Sequence, residues 1–164
     1  MDLAASTTAA LVTISNLPGD IFIIGALALT GALDGYRTGA AYASSAALAL
    51  ICASYLSLLA PHTAFIASLP PAPYQKAVIV GVLALIFFFL IRRMTEVFGY
   101  GTSGIVSGLL AGAGFTAIVV SVWVGTPALD AAWTFGPSIK TLVSESYRLY
   151  LIVGGCAALA FART

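Results

Sequence analysis

From Val97 to Leu129 the chain runs for 33 residues without an aspartate, glutamate, lysine or arginine. A helix of about 20 apolar residues crosses the roughly 30 Å hydrocarbon layer of a bilayer. A stretch this long and this free of charge is therefore far more at home in lipid than in water. The rest of the chain agrees: 60% of its residues are hydrophobic and only 8% are charged, against about a quarter in soluble domains. Too few polar side chains remain to cover a water-facing surface. In lipid every backbone polar group must bond internally, which leaves helices or closed barrels. Period-2 alternation is absent and Ala, Leu and Gly dominate, so the expectation is an all-α, polytopic transmembrane helix bundle.

Charge-free length and breaker residues divide residues 17–164, after an N-terminal lead-in at 1–16, into five expected spans in one helical domain. These cover approximately 17–34, 38–60, 74–91, 102–124 and 139–161. Asn16 and Pro18 supply a start signal for the first, and Thr102 or Ser103 caps the fourth. An Asp-Gly turn signal, Asp34-Gly35, sits in the tight connection between the first and second. Pro61 ends the second, and residues 61–73 read as a proline-stiffened loop. The third is rich in β-branched and aromatic residues, which suits an outer, lipid-facing place. The fifth is polar over its first third, with Lys140, Ser144, Glu145, Ser146 and Arg148. Four spans plus an interfacial C-terminal helix is the alternative. Lys and Arg in the connections set orientation. With the N-terminus outside and the C-terminus inside, Arg37, Arg92, Arg93 and Arg163 fall on the cytoplasmic side, and Lys76, Lys140 and Arg148 on the other.

The most specific pattern is a glycine ladder that occurs twice. Gly31, Gly35 and Gly39 are spaced by four, and so are Gly104, Gly108 and Gly112. Each ladder ends in Gly-Ala with an aromatic close behind (Tyr42, Phe115), which reads as a short internal repeat. Spacing by four aligns glycines on one helix face, where a second backbone approaches closely and van der Waals packing drives association. These six residues are the candidate helix-packing sites, and the two ladders are candidates to share one core. A glycine-lined pore or hinge is the alternative use. Asp34 with Arg37, and Glu145 with Arg148, are each spaced i, i+3 and are candidate intramembrane or interfacial ion pairs. Ionisable groups at membrane depth are functional candidates by default, whereas an arginine near a helix end also snorkels to the interface.

No other constellation carries chemistry. His62 is the single histidine and has no ligating neighbour in sequence; Cys52 and Cys156 sit inside apolar stretches and read as reduced, packed thiols. Gly99, Gly101 and Gly104 fit G-x-G-x-x-G by spacing without a βαβ context. Glu96 reads as a loop charge, and the aromatics near span ends (Tyr100, Trp123, Trp133, Tyr147, Tyr150) as an interfacial belt. The expectation is a non-enzyme without metal or cofactor. No basic run exceeds Arg92-Arg93, so no nucleic-acid footprint exists. The expected partners are the lipid bilayer and either a second copy or other membrane proteins.

The order of Asp20, the segment Gly35-Tyr36-Arg37-Thr38-Gly39, a proline-containing loop before the third span, and Gly104, Gly108 and Gly112 in the fourth resembles the colicin V production protein family. Family members often carry two basic residues or Arg-Gly where this chain has Arg37-Thr38-Gly39, and the apolar segment after Pro137-Ser138 is additional. The resemblance covers residues 18–125 and implies a four- or five-helix protein of the bacterial inner membrane, linked to bacteriocin export and envelope maintenance. It brings no catalytic residues. Two functions follow as expectations: a scaffold or accessory subunit of a membrane assembly, or a small channel, transporter or phage-type pore former.

Overall fold

A computed structural model of the chain describes residues 19–59, 74–95 and 104–163. The start signal at Asn16 and Pro18, the proline loop with His62, Glu96, and the Thr102 or Ser103 cap lie outside the described residues. Within them, every regular element is helical. The long helices are α1 (Gly19–Thr38), α2 (Ala41–Ser57), α3 (Gln75–Thr95) and α4 (Ile105–Gly125). A 3-10 turn (Pro127–Ala131), the short α5 (Pro137–Leu142) and α6 (Glu145–Ala162) follow.

Three of these helices, α1, α3 and α4, are long and apolar enough to cross a bilayer, and α2 is apolar but shorter at 17 residues. Their surfaces fit hydrocarbon. Among the described side chains of α3 only Val80 is buried, while Leu85 and Phe89 stand 60% and 59% exposed. On α4, Ile105, Val106 and Leu109 are each more than two-thirds exposed. Leaving side chains of this size in water would cost about 1.5–3 kcal/mol each. In lipid that penalty vanishes.

The central helix is α4. It packs against α1 and α6 on two sides and against α2 on a third, and α2 carries α3 on its far side. Successive long helices along the chain alternate in direction, which leaves α2 parallel to α4. At one end of the bundle Gly19 lies against Trp133 and Gly125 against Arg148. At the other, Arg92 reaches Tyr42, and Ser107 reaches Ala162. One core cluster begins at the Arg92 end with small side chains, Ala40, Ala43 and Ala47 of the α1–α2 junction and α2 against Ala111 of α4, and continues along α4 to Ile118 and Val122. Toward the Trp133 end, Val120, Phe135 and Val143 form a second cluster, on which Ile23, Ile24 and Leu27 of α1 pack.

Two boundaries differ from the sequence expectation, each for a local reason. The Asp34-Gly35 signal does not turn the chain, because α1 continues through it to Thr38. Gly35 is there to admit a neighbouring helix, and the break falls at Gly39 and Ala40, both with φ of 63°. Left-handed backbone suits Gly39, and the small Ala40 is fully buried in the core. The second difference is the expected helix at 139–161. It is two helices, interrupted where Val143 ends α5 and Ser144 takes extended backbone (φ −60°, ψ 161°) ahead of α6. Val143 turns into the core, 2% exposed, and anchors this kink.

The break at Gly39-Ala40 leaves α2 without a side-chain cap of its own, since alanine has no oxygen to offer. Asp34 supplies it from the preceding helix. Its carboxylate accepts the Ala43 backbone N–H at 2.6 Å and the Thr38 hydroxyl at 2.6 Å. Negative charge is thus placed on the N-terminal turn of α2, where the free amides and the helix dipole favour it. Asp34→Ala is expected to destabilise the α1–α2 hairpin by about 1 kcal/mol. Thermal unfolding in mild detergent would show this as a lowered midpoint; an unchanged midpoint would contradict the capping role.

Candidate functional site

The glycines at the centre of the two ladders meet. A Cβ placed on Gly35 would lie 2.5 Å from both the Ser107 carbonyl oxygen and the Ala111 Cβ, and one on Gly31 would lie 3.0 Å from the Ala111 carbonyl oxygen. From the other side, a Cβ on Gly112 would lie 2.7 Å from the Ala28 carbonyl oxygen, and one on Gly108 3.0 Å from that of Ala32. Residues ascending α1 meet residues descending α4, so the seam is antiparallel. Its closeness leaves no room for side chains on either backbone. One end member of each ladder stands apart. Gly104 sits at the N-terminal boundary of α4 with nothing within 4 Å of its absent side chain, and Gly39 forms the left-handed break after α1.

A buried serine fastens the same seam. The Ser107 hydroxyl lies 2.6 Å from the Ala162 carbonyl oxygen and 3.0 Å from that of Gly35, so its single hydrogen sits between two acceptors. Ala162 closes α6, and its carbonyl is one of those a helix end leaves unpaired. One hydroxyl therefore joins α1, α4 and α6.

At the opposite end, Asp20 plays a comparable part. Its carboxylate, 9% exposed, accepts the Gly136 N–H at 2.7 Å and the Trp133 indole N–H at 3.1 Å. The indole N–H of Trp123 in turn donates to the Trp133 carbonyl at 2.9 Å. The chain between α4 and α5 is thereby folded onto the first turn of α1. The aromatic character of Trp123 and Trp133 is legible in the sequence as an expected interfacial belt, but the pairing with Asp20 across more than a hundred residues has no signature in local sequence.

The two candidate ion pairs are not formed. Asp34 is engaged with α2, and Arg37 is exposed. Glu145 is exposed on the first turn of α6, while Arg148 turns toward the bundle with its stem and guanidinium laid over Gly125. A side chain on Gly125 would come within 3.0 Å of Arg148 Nη1 and 3.1 Å of its Cδ.

Arg148 faces a cavity of about 620 Å³ between α2, α3, α4 and α6 at the Trp133 end. Its walls are mainly apolar, with Ile51, Ile79, Val122 and Ile152 among them, and Ser121 and Thr126 add hydroxyls. Among the described residues two buried side-chain polar atoms have no hydrogen-bond partner, Ser121 Oγ and Arg148 Nε, and both residues line this cavity. Near the Arg92 end, by contrast, Arg92 lies over the Tyr42 ring, 4.3 Å from its centroid, and donates to the Tyr42 hydroxyl at 2.8 Å. Among the described residues no three His, Cys, Asp or Glu side chains gather as a metal site.

Glycines with and without neighbours allow a direct contrast. Gly35→Ala is expected to destabilise the bundle by about 1–3 kcal/mol, the cost of overpacking a close contact. Gly25 and Gly81 have nothing within 4 Å of the absent Cβ, so Gly25→Ala and Gly81→Ala are expected to be neutral or mildly stabilising. Thermal midpoints of the three variants in one detergent measure the difference, and equal midpoints would contradict the seam. Comparison of the chain with protein-family models, curated proteins and solved structures returns no match.

Proposed function

We propose that this protein is a five-span membrane bundle that acts by holding other molecules, as a scaffold or accessory subunit of a membrane assembly, rather than by catalysis. The observation that carries this reading is the use made of the polar groups inside the bundle. Asp20, Asp34 and Ser107 are all engaged in ties between one segment and another. Thr126 is spent on the Val122 carbonyl of its own helix. These are the groups from which an intramembrane reaction centre would be drawn.

The five-span reading rests on α2 running parallel and α6 antiparallel to α4 along its length. At 17 and 18 residues they extend about 26 and 27 Å, close to the thickness of the hydrocarbon layer. Orientation follows from the arginines. Arg37, Arg92, Arg93 and Arg163 gather at one end of the bundle with Asp34 as the described carboxylate nearest them. At the other end Lys76, Lys140 and Arg148 are matched by Asp20, Asp130 and Glu145. The Arg92 end is the cytoplasmic one on this reading. Resemblance to colicin V production proteins would make the membrane a bacterial inner membrane and the assembly one linked to bacteriocin export.

A channel or transporter is favoured by one observation, the cavity with its cationic wall. Against a continuous path, its lining residues come from the Trp133 half of the helices, and alanines fill the core of the other half.

Impermeant thiol labelling tests the topology in a background with Cys52 and Cys156 replaced by alanine. Lys140→Cys is expected to label from outside intact cells, and Arg93→Cys and Arg163→Cys only after permeabilisation. Labelling of Arg163→Cys together with Lys140→Cys would leave α6 at the interface and reduce the count to four. Isolation in mild detergent tests the role: a stoichiometric membrane partner is expected, and a lone monomer that conducts ions in liposomes would overturn the scaffold reading.

A further inference from the structure

We propose that the cavity at the Trp133 end binds a single-chain amphiphile with an oxyanion head group, Arg148 pairing with the head and the apolar walls holding the chain. The argument begins with Arg148. An arginine is charged at any physiological pH, and a buried guanidinium N–H without an acceptor is costly. Its Nε is such a group. No carboxylate of the same end answers it: Asp20 is committed to Trp133 and Gly136, and Asp130 and Glu145 are exposed. The missing acceptor is a negative oxygen that the described chain does not provide.

Ser121 points the same way independently. Of the five hydroxyl side chains buried among the described residues, those of Ser44, Ser45, Ser107 and Thr126 donate to backbone carbonyls. Ser121 is fully buried and bonds to nothing. It lies on the cavity wall one helical turn before Gly125, on the same face of α4. Gly125 keeps that face low enough for the guanidinium to lie across it. Ser121 and Arg148 both belong to the wall of this one space and Lys76 adds a second cation to it, a donor set suited to a carboxylate or phosphate.

The cavity walls define the rest of the ligand. At about 620 Å³, the space falls within the roughly 300–1,000 Å³ range of small-molecule sites. A small hydrophilic anion would satisfy Arg148 and leave Ile51, Ile79 and Ile152 uncovered. A neutral hydrocarbon would cover them and leave Arg148 unpaired. An anionic amphiphile satisfies both. The inference goes beyond the scaffold reading and does not depend on it, since binding is read on the purified chain.

The test is a titration of the full-length protein in neutral detergent, followed by native mass spectrometry, with four probes: oleate, an oleoyl lysophosphatidylglycerol, oleyl alcohol and inorganic phosphate. Saturable one-to-one binding of oleate, of the lysolipid, or of both is expected. Retention of oleate alone identifies a fatty acid as the source, and retention of the lysolipid alone identifies a phospholipid. Arg148→Gln is expected to weaken binding roughly tenfold or more, Ser121→Ala to weaken it less, Gly125→Val to abolish it, and Glu145→Gln to leave it unchanged. Thermal midpoints identify any variant that fails to fold; the contrast between oleate and oleyl alcohol on the unaltered protein then decides. Binding of oleyl alcohol equal to oleate, binding of phosphate alone, no binding of any probe, or full binding by a folded Arg148→Gln protein would each overturn the proposal.

Discussion

Everything in this bundle is arranged around the backbone contact between α1 and α4. In lipid the hydrophobic effect does not press helices together, so two backbones associate only as closely as their side chains permit. Gly31 and Gly35 on one helix and Gly108 and Gly112 on the other remove the side chains at four positions, and carbonyl oxygens come to within van der Waals reach of the opposite helix. This contact makes α4 the hub. Its remaining faces receive α6, through the pair Gly114 and Gly155, and the alanines of α2. A ladder that seals an internal seam is not free to bind a second copy, which moves any self-association to the outward faces.

Polar groups then finish what the glycines begin. Asp34 holds the start of α2 to the end of α1, Ser107 ties α1 and α6 to α4, and Asp20 fixes the chain after α4. Each satisfies backbone groups that a helix end or a loop leaves unpaired, which in a low-dielectric setting would otherwise be costly. The exceptions to this economy, Arg148 and Ser121, face one cavity. Their neighbours are satisfied by the protein itself, so the contrast is internal to the molecule.

The helical, membrane-embedded character of the chain was legible in charge-free length alone, because hydrocarbon thickness and backbone satisfaction leave few solutions. The repeated glycine spacing also carried the faces that meet between α1 and α4. It did not carry their extent, since spacing by four looks the same whether a glycine packs, as Gly35 does, or terminates a helix, as Gly39 does. The Asp34-Gly35 turn signal misled for a related reason: local turn chemistry yields where tertiary packing needs glycine inside a helix. The i, i+3 charge pairs failed because both acidic residues had alternatives that sequence separation hides. Asp34 found an amide nine residues on, and Glu145 solvent. The cavity was illegible, being assembled from four helices whose mutual placement no local pattern encodes.

The central claim, an antiparallel α1–α4 seam within one chain, is most directly tested by spin-label distances in the cysteine-free background. Labels replacing Tyr36 and Ile105 lie at the same end of the seam, whereas labels replacing Phe22 and Ile105 are separated by about 14 residues of α1, on the order of 20 Å along its axis. The account predicts a short distance for the first pair and one longer by roughly that amount for the second, both unchanged when labelled protein is diluted into an excess of unlabelled protein. A shorter distance for Phe22 with Ile105, or a short Tyr36 to Ile105 distance that disappears on dilution, would contradict it.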